Sequence, residues 1–138
     1  MKNQKKMKKI LVAVILLLAT VAVFAQKPVK LKIIYFHSER RCPTCISIED
    51  NTKKTLNTYF ASQLKDGTIT LQVLDIGDDK NQKLVEKYEA DGSSLFLTKV
   101  SGSKETTTDF TNFAFSYSRN QADKFISGLK AEIEKNLK

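Results

Sequence analysis

The sequence is poor in several residue types that build functional sites. Its 138 residues contain two cysteines, two prolines, one histidine and no tryptophan. Because a structural zinc site normally uses four protein ligands, one histidine and two cysteines make such a site within a single chain a weak hypothesis. A copper(I) or cluster site shared between two chains stays open, since soft metals favour thiolates.

Only one long apolar run is present, and it lies at the N-terminus. Five lysines among the first nine residues precede a mostly aliphatic run over residues 10–24. This charged start, the apolar run and a small residue at Ala25 are typical of a secretory signal peptide over residues 1–25. An uncleaved anchor is the alternative, but the run spans roughly 22 Å, short of the roughly 30 Å hydrocarbon core. Because Gln26 rather than a cysteine follows the predicted cleavage site, lipid attachment there is excluded.

Cleavage between Ala25 and Gln26 changes the charge of the chain. The full sequence carries a formal charge of +8, and the loss of five leader lysines leaves +3 on the mature chain. Charge this small and scattered does not predict nucleic-acid binding. The remaining 113 residues, 26–138, contain no repeat or linker and suffice for one domain. We expect a periplasmic or secreted protein without stable membrane insertion, in a setting where disulfides persist.

The two cysteines form the motif Cys42-Pro43-Thr44-Cys45, between a predicted strand and a predicted helix. The apolar run 31–36 is typical of a buried strand. Pro43 suits the first helical position, which makes Cys42 the predicted N-cap. The free N–H groups of the first turn and the helix dipole then favour a Cys42 thiolate, the form that attacks disulfides and binds metals. One helix face is indicated by apolar residues at multiples of four, namely Ile48, Leu56, Phe60 and Leu64.

The rest of the mature chain alternates between predicted strands and helices. Gly67 is expected to end the first helix in a left-handed conformation. Asp79 is predicted to cap a shorter helix, and Asn120 to begin the last one. The predicted elements are a strand over 31–37, a helix over 43–64, a strand over 69–74, a helix over 79–91, a strand from 95, a strand over 104–109 and a helix from 120. Their order, βαβαββα, indicates an α/β fold.

This order, with a Cys-x-x-Cys motif that ends the first strand and opens the first helix, resembles the thioredoxin fold. The resemblance implies a thioredoxin-like domain over residues 26–138, with a central mixed four-stranded sheet flanked by helices. Residues 35–45, 92–96 and 109–115 look like small exported thioredoxin-like proteins called nitrophenyl compound nitroreductase subunits. That family implies redox work and does not identify a substrate. We expect no cofactor.

The resemblance also implies roles for the two cysteines. Cys42, nearer solvent, would attack, and Cys45, one turn inward, would resolve the mixed disulfide. The implied partner is a protein disulfide or dithiol, or a membrane-bound reductant. Pro43 and Thr44, between the cysteines, would tune the reduction potential.

Three positions depart from the thioredoxin pattern. Arg41 stands where thioredoxins usually place tryptophan, just before the first cysteine. Phe36 falls on the position of their buried acid, so proton transfer to the inner thiol would need another group. Ser94 falls near the position of their cis-proline, because Pro28 and Pro43 are the only prolines here.

The supporting residues have alternative interpretations. Arg40 and Arg41 either lower the pKa of Cys42, or steer an anionic partner, or are solvated loop charges. His37 either shuttles protons to the dithiol or is hydrogen-bonded structure. An aromatic cluster either packs under the last helix or forms a docking patch; its members are Phe110, Phe113, Phe115 and Tyr117.

Three function classes remain open at this point. The first is an exported thiol–disulfide oxidoreductase or electron relay. The second is a soft-metal protein that uses Cys42 and Cys45 as ligands, and the third is a non-catalytic binding module. A purely structural disulfide is disfavoured, because closing so short a loop removes little entropy from the unfolded chain.

Overall fold

The computed structural model describes Gln4 and residues 30–138. The predicted signal peptide, apart from Gln4, and its cleavage site lie outside the described residues. In the described part, no helix combines the length and the apolar character needed to cross a membrane. The elements are β1 (Lys30–His37), α1 (Pro43–Tyr59), α2 (Ala61–Asp66), β2 (Ile69–Asp75), a 3-10 turn (Asp79–Asn81), α3 (Gln82–Tyr88), β3 (Ser94–Ser101), β4 (Lys104–Asp109), α4 (Thr111–Tyr117) and α5 (Ala122–Leu137).

The four strands of the described chain form one mixed sheet in the order β2-β1-β3-β4. β2 runs parallel to β1, with Tyr35 opposite Val73. β3 runs antiparallel to β1, with Phe36 opposite Ser94, and β4 continues antiparallel to β3. The parallel pair needs a crossover connection, which α1 and α2 supply. The predicted α/β architecture with a mixed four-stranded sheet is confirmed.

β1 is buried on both faces, because helices cover the sheet on both sides. Ile33 and Tyr35 belong to the larger core cluster, which includes residues of α1 and α5. Ile34 and Phe36 belong to a smaller cluster, which includes Tyr88 of α3. The near-continuous apolar run of β1 is the composition expected of a strand covered on both faces.

α4 is a helix that the sequence analysis missed. It brings three aromatic rings together at the base of α5: the ring centroids of Phe110 and Phe113 lie 4.6 Å apart, and those of Phe113 and Tyr117 lie 4.7 Å apart. All three residues belong to or pack against the larger core, which agrees with the packing interpretation. Phe115 differs, because it is 40% exposed, so the packing interpretation does not hold for that residue. The spacing of 110, 113 and 117 is helical, and this was the available signal.

Three helix boundaries differ from the prediction. The helix predicted over 43–64 is two helices, because Phe60 leaves the helical region (φ −132°, ψ 24°) while its ring packs into the core. Gly67 adopts the predicted left-handed conformation (φ 78°). Asp78, not Asp79, caps the 3-10 turn that leads into α3. α5 begins at Ala122 without a side-chain cap, so the predicted role of Asn120 was wrong.

Candidate functional site

The two cysteines meet where β1 leads into α1. Their Cα atoms lie 5.0 Å apart and their sulfurs form a disulfide. Cys42 precedes α1 and is exposed, whereas Cys45 lies in the first turn and is only 6% exposed. A partner can therefore reach the outer cysteine, while the inner cysteine stays within the fold.

Cys42 caps α1, as the sequence predicts. Its backbone is extended (φ −73°, ψ 158°) and Pro43 begins the helix. The backbone N–H of Cys45 donates a hydrogen bond to Cys42 Sγ at 3.0 Å. The other free N–H groups of the first turn and the helix dipole add positive potential at this sulfur. When the disulfide is reduced, these groups favour the nucleophilic thiolate form of Cys42.

Tyr35 lies beneath the first turn of α1 and is fully buried. Its hydroxyl donates a hydrogen bond to the backbone carbonyl of Cys45 at 2.7 Å. Burial raises the pKa of Tyr35, against the opposing effect of side-chain hydrogen bonds with Ser93 and Arg41. The phenol is therefore protonated near neutral pH and serves as a hydrogen-bond donor to the inner cysteine.

Arg41, immediately before the disulfide, forms an ion pair with Glu49. Its guanidinium carbon lies 5.9 Å from the centroid of the Tyr35 ring. The side chains of Arg41 and Glu49 are 28% and 12% exposed, and Glu49 also pairs with Lys53. Burial alone would raise the pKa of Glu49, but hydrogen bonds from Lys53 and Arg41 outweigh it and hold the pKa below its ordinary value. Glu49 is thus a largely buried, ionised carboxylate.

Ser94 lies at the start of β3, opposite Phe36 of β1. It is buried, and its hydroxyl donates a hydrogen bond to the carbonyl of Gly92 at 3.1 Å. None of the peptide bonds in residues 30–138 is cis. The loop before β3 therefore reaches the position of the thioredoxin cis-proline with trans peptide bonds throughout.

The remaining predicted residues surround the disulfide less closely. His37 ends β1, with its Nδ1 atom 3.1 Å from the carbonyl oxygen of Ser38 and its ring 6.3 Å from that of Tyr35. Among the hydrogen bonds of residues 30–138, none joins His37 to either cysteine. Arg40 is exposed, and Thr44 is half-buried in the first turn of α1.

Two residues of the site escaped the sequence analysis. One is Tyr35, which lies beneath Cys45, and the other is Glu49, which pairs with Arg41. Phe36, the position matched to the thioredoxin acid, belongs instead to the small cluster around α3. The alternation along β1 places Tyr35 on the face of the larger core and was the available signal. Glu49 follows Cys45 by four residues, which places both on one face of α1. The ion pair of Glu49 with Arg41 joins a helix to the preceding loop, and no pattern in the sequence predicts it.

The surroundings of the disulfide are open on the side of Cys42. Pro43 and Ile46 are exposed beside it, which leaves an apolar rim at the outer cysteine. Within residues 30–138, no group of three or more histidine, cysteine, aspartate or glutamate side chains is placed to hold a metal ion. The paired cysteines in this arrangement suit a redox-type role.

Comparisons with known proteins identify the fold of this chain but no family. No family model matches the chain. No curated protein matches it either. A solved structure described as a malarial protein is 19% identical, with 72% of this chain and 96% of that chain covered and a TM-score of 0.43. The solution structure of a thioredoxin from Thermus thermophilus is 16% identical, with 78% of this chain and 76% of that chain covered and a TM-score of 0.50. The fold is thioredoxin-like.

Proposed function

We propose that this protein is an exported thiol–disulfide oxidoreductase or electron relay that works through Cys42 and Cys45. The observation that carries the proposal is the exposed Cys42 at the N-cap of α1, bonded to the buried Cys45 one turn inward. This asymmetry suits an attacking cysteine and a resolving cysteine. The thioredoxin-like fold supports the same conclusion.

Reduction of the disulfide takes two electrons from a dithiol reductant. One reductant thiolate attacks Cys42 Sγ, because Cys42 is the exposed sulfur, and the bond to Cys45 breaks. Cys45 leaves as a thiolate and takes up a proton. The second reductant thiolate then attacks the reductant's sulfur in the mixed disulfide, which forms the reductant's own disulfide and releases Cys42 as a thiolate.

Transfer to a partner repeats this chemistry at the partner's disulfide. The Cys42 thiolate attacks one partner sulfur, and the other partner sulfur leaves as a thiolate and is protonated. Cys45 loses its proton and attacks Cys42 Sγ, which restores the intrachain disulfide and releases the first partner sulfur as a thiol. Two electrons have passed to the partner. The reverse sequence oxidises a dithiol partner, and the two reduction potentials set the direction.

The location and partner in this proposal rest on the sequence. The leader over residues 1–25 supports export to the periplasm or beyond, where a disulfide persists. The partner is a protein disulfide or dithiol, or a membrane-bound reductant. Reduction of nitro compounds is not part of the proposal, because nothing in the site or the comparisons supports it.

The test is a trapping experiment with matched cysteine variants. Cys45→Ser leaves the exposed attacking sulfur without its resolving partner, so it should accumulate a stable mixed disulfide with oxidised glutathione. Cys42→Ser leaves only the buried sulfur and should trap roughly tenfold less under the same conditions, because that sulfur is inaccessible. Mass spectrometry of the intact protein measures both.

The three function classes make different predictions for the wild-type protein and its cysteine variants. Exchange by the wild-type protein no faster than by free thiol would contradict the proposal. Stoichiometric metal retained by the reduced protein would favour the soft-metal class. If the variant with both cysteines changed to serine kept the cellular phenotype, the protein would be a binding module.

A further inference from the structure

Three side chains from different segments converge beside the disulfide. Tyr35 comes from β1, Arg41 from the loop before α1, and Glu49 from the second turn of α1. The three form a continuous chain of contacts, because the Arg41 guanidinium carbon lies 5.9 Å from the centroid of the Tyr35 ring and the guanidinium pairs with Glu49. Attack and resolution by the cysteines use none of these side chains.

The phenol oxygen of Tyr35 ties this chain to the inner cysteine. It donates to the Cys45 carbonyl at 2.7 Å, and the Arg41 guanidinium carbon lies 5.9 Å from the centroid of the same ring. One side chain, that of Tyr35, therefore separates a half-buried positive charge from the backbone of Cys45. Glu49, four residues after Cys45 on the same helix face, brings a negative charge to the same guanidinium.

We propose that Tyr35, Arg41 and Glu49 are positioning residues that tune the reduction potential of the Cys42–Cys45 pair. The inference rests on the proposed redox function. Arg41 favours the reduced form, Glu49 opposes it by neutralising Arg41, and Tyr35 holds the guanidinium in place.

The physical reason is the change of charge on reduction. The disulfide is neutral, whereas the reduced pair carries a thiolate, so a nearby positive charge favours reduction and a nearby negative charge opposes it. These effects persist for Arg41 and Glu49 because both are largely shielded from water. Glu39 and Arg40 are exposed and therefore more strongly screened, while Lys53 is engaged with Glu49.

The experiment measures the equilibrium between the protein and glutathione for wild type, Glu49→Gln, Arg41→Gln and the double variant. Glu49→Gln should shift the equilibrium toward the dithiol by about threefold to tenfold, which raises the potential by about 14 to 30 mV for a two-electron couple. Arg41→Gln should shift it by a similar factor toward the disulfide. The double variant should return to within about twofold of wild type, because both charges are then absent.

Two further variants separate electrostatics from structure. Arg41→Lys keeps the charge and should stay within about twofold of wild type. Tyr35→Phe keeps the ring but removes the hydroxyl, and in that background the Glu49→Gln shift should fall by about half. Glu134→Gln removes a carboxylate from the Lys130 ion pair on α5 and should leave the potential unchanged.

Opposite signs for the two single variants are the decisive result. If both move the potential in the same direction, or neither moves it by twofold, the network has no electrostatic role and the inference is wrong. If Arg41→Gln does not fold, the Glu49→Gln shift alone decides. Failure of the wild-type protein to equilibrate with glutathione would instead overturn the proposed function.

Discussion

At the scale of single residues, the buried threonines of α1 show how one missing hydrogen bond changes the energetics of a position. Thr52 and Thr55 are both almost inaccessible to solvent. The Thr55 hydroxyl donates to the Asn51 carbonyl at 2.7 Å, whereas the Thr52 hydroxyl has no hydrogen-bond partner among the described residues. Burying a hydroxyl without a hydrogen-bond partner destabilises the folded state, and a hydrogen bond offsets most of that destabilisation.

This contrast predicts different effects for the same substitution. Thr52→Val should leave the free energy of unfolding unchanged or raise it by up to about 1 kcal/mol, because the replacement methyl needs no partner. Thr55→Val should lower it by about 0.5–1.5 kcal/mol, because a hydrogen bond is lost. Urea unfolding measures both. A larger loss for Thr52→Val than for Thr55→Val would contradict this account.

At the scale of elements, α4 and α5 approach closely because α5 has a glycine at the contact. A Cβ atom on Gly128 would lie 2.3 Å from Cζ of Phe113, far inside van der Waals contact. The Phe113 ring cannot move away freely, because it packs against Phe110 and Tyr117. The glycine therefore costs helix propensity but permits the aromatic packing.

Gly128→Ala is consequently expected to destabilise the protein, although alanine is the better helix former. The expected loss is about 1–3 kcal/mol in the free energy of unfolding, because overpacking outweighs the gain in propensity. Ser127→Ala, on the exposed side of α5, is the matched control and should change stability by no more than about 0.5 kcal/mol. Stabilisation by Gly128→Ala would show that α4 is free to move away from α5.

At the scale of the whole molecule, Glu105 joins three elements through its carboxylate. It pairs with Lys32 of β1 and Lys87 of α3 from its place on β4. The hydrogen bonds from Lys87 and Lys32 lower the pKa of Glu105 from 4.5 to about 2. The pairs are largely exposed to solvent, so their contribution to stability is modest.

The lowered pKa predicts a specific dependence of stability on pH. The unfolded chain protonates Glu105 near pH 4.5 and the folded chain near pH 2, so its contribution is present above pH 4.5 and disappears as the pH falls to about 2. Glu105→Gln should lower the free energy of unfolding by about 0.2–1 kcal/mol at pH 6 and by almost nothing at pH 2. Urea unfolding of both proteins tests this, with 1 M salt expected to shrink the difference at pH 6. A difference that grows on acidification would contradict the assignment.

Sequence patterns were sufficient for the architecture because each pattern depended on neighbouring residues. The apolar run of β1 requires burial of both faces, whereas the alternation along β2 and the one-sided face of α1 each require burial of one particular side. Boundaries were less predictable. Phe60 interrupts the first helix because its ring is needed in the core, and α4 forms where aromatic residues pack on α5. These choices depend on distant contacts, which no local pattern encodes.

In the candidate site, too, some features follow from the local sequence and others depend on distant contacts. The sequence by itself determined that Cys42 caps α1, because Pro43 suits the first helical position and Cys42 immediately precedes it. Only the tertiary structure decided that Tyr35 lies beneath Cys45 and that Arg41 pairs with Glu49 rather than standing free in the loop. The physical reason is range: a helix cap is built within one turn, whereas buried hydrogen bonds and ion pairs join segments that only the packing of the whole chain brings together.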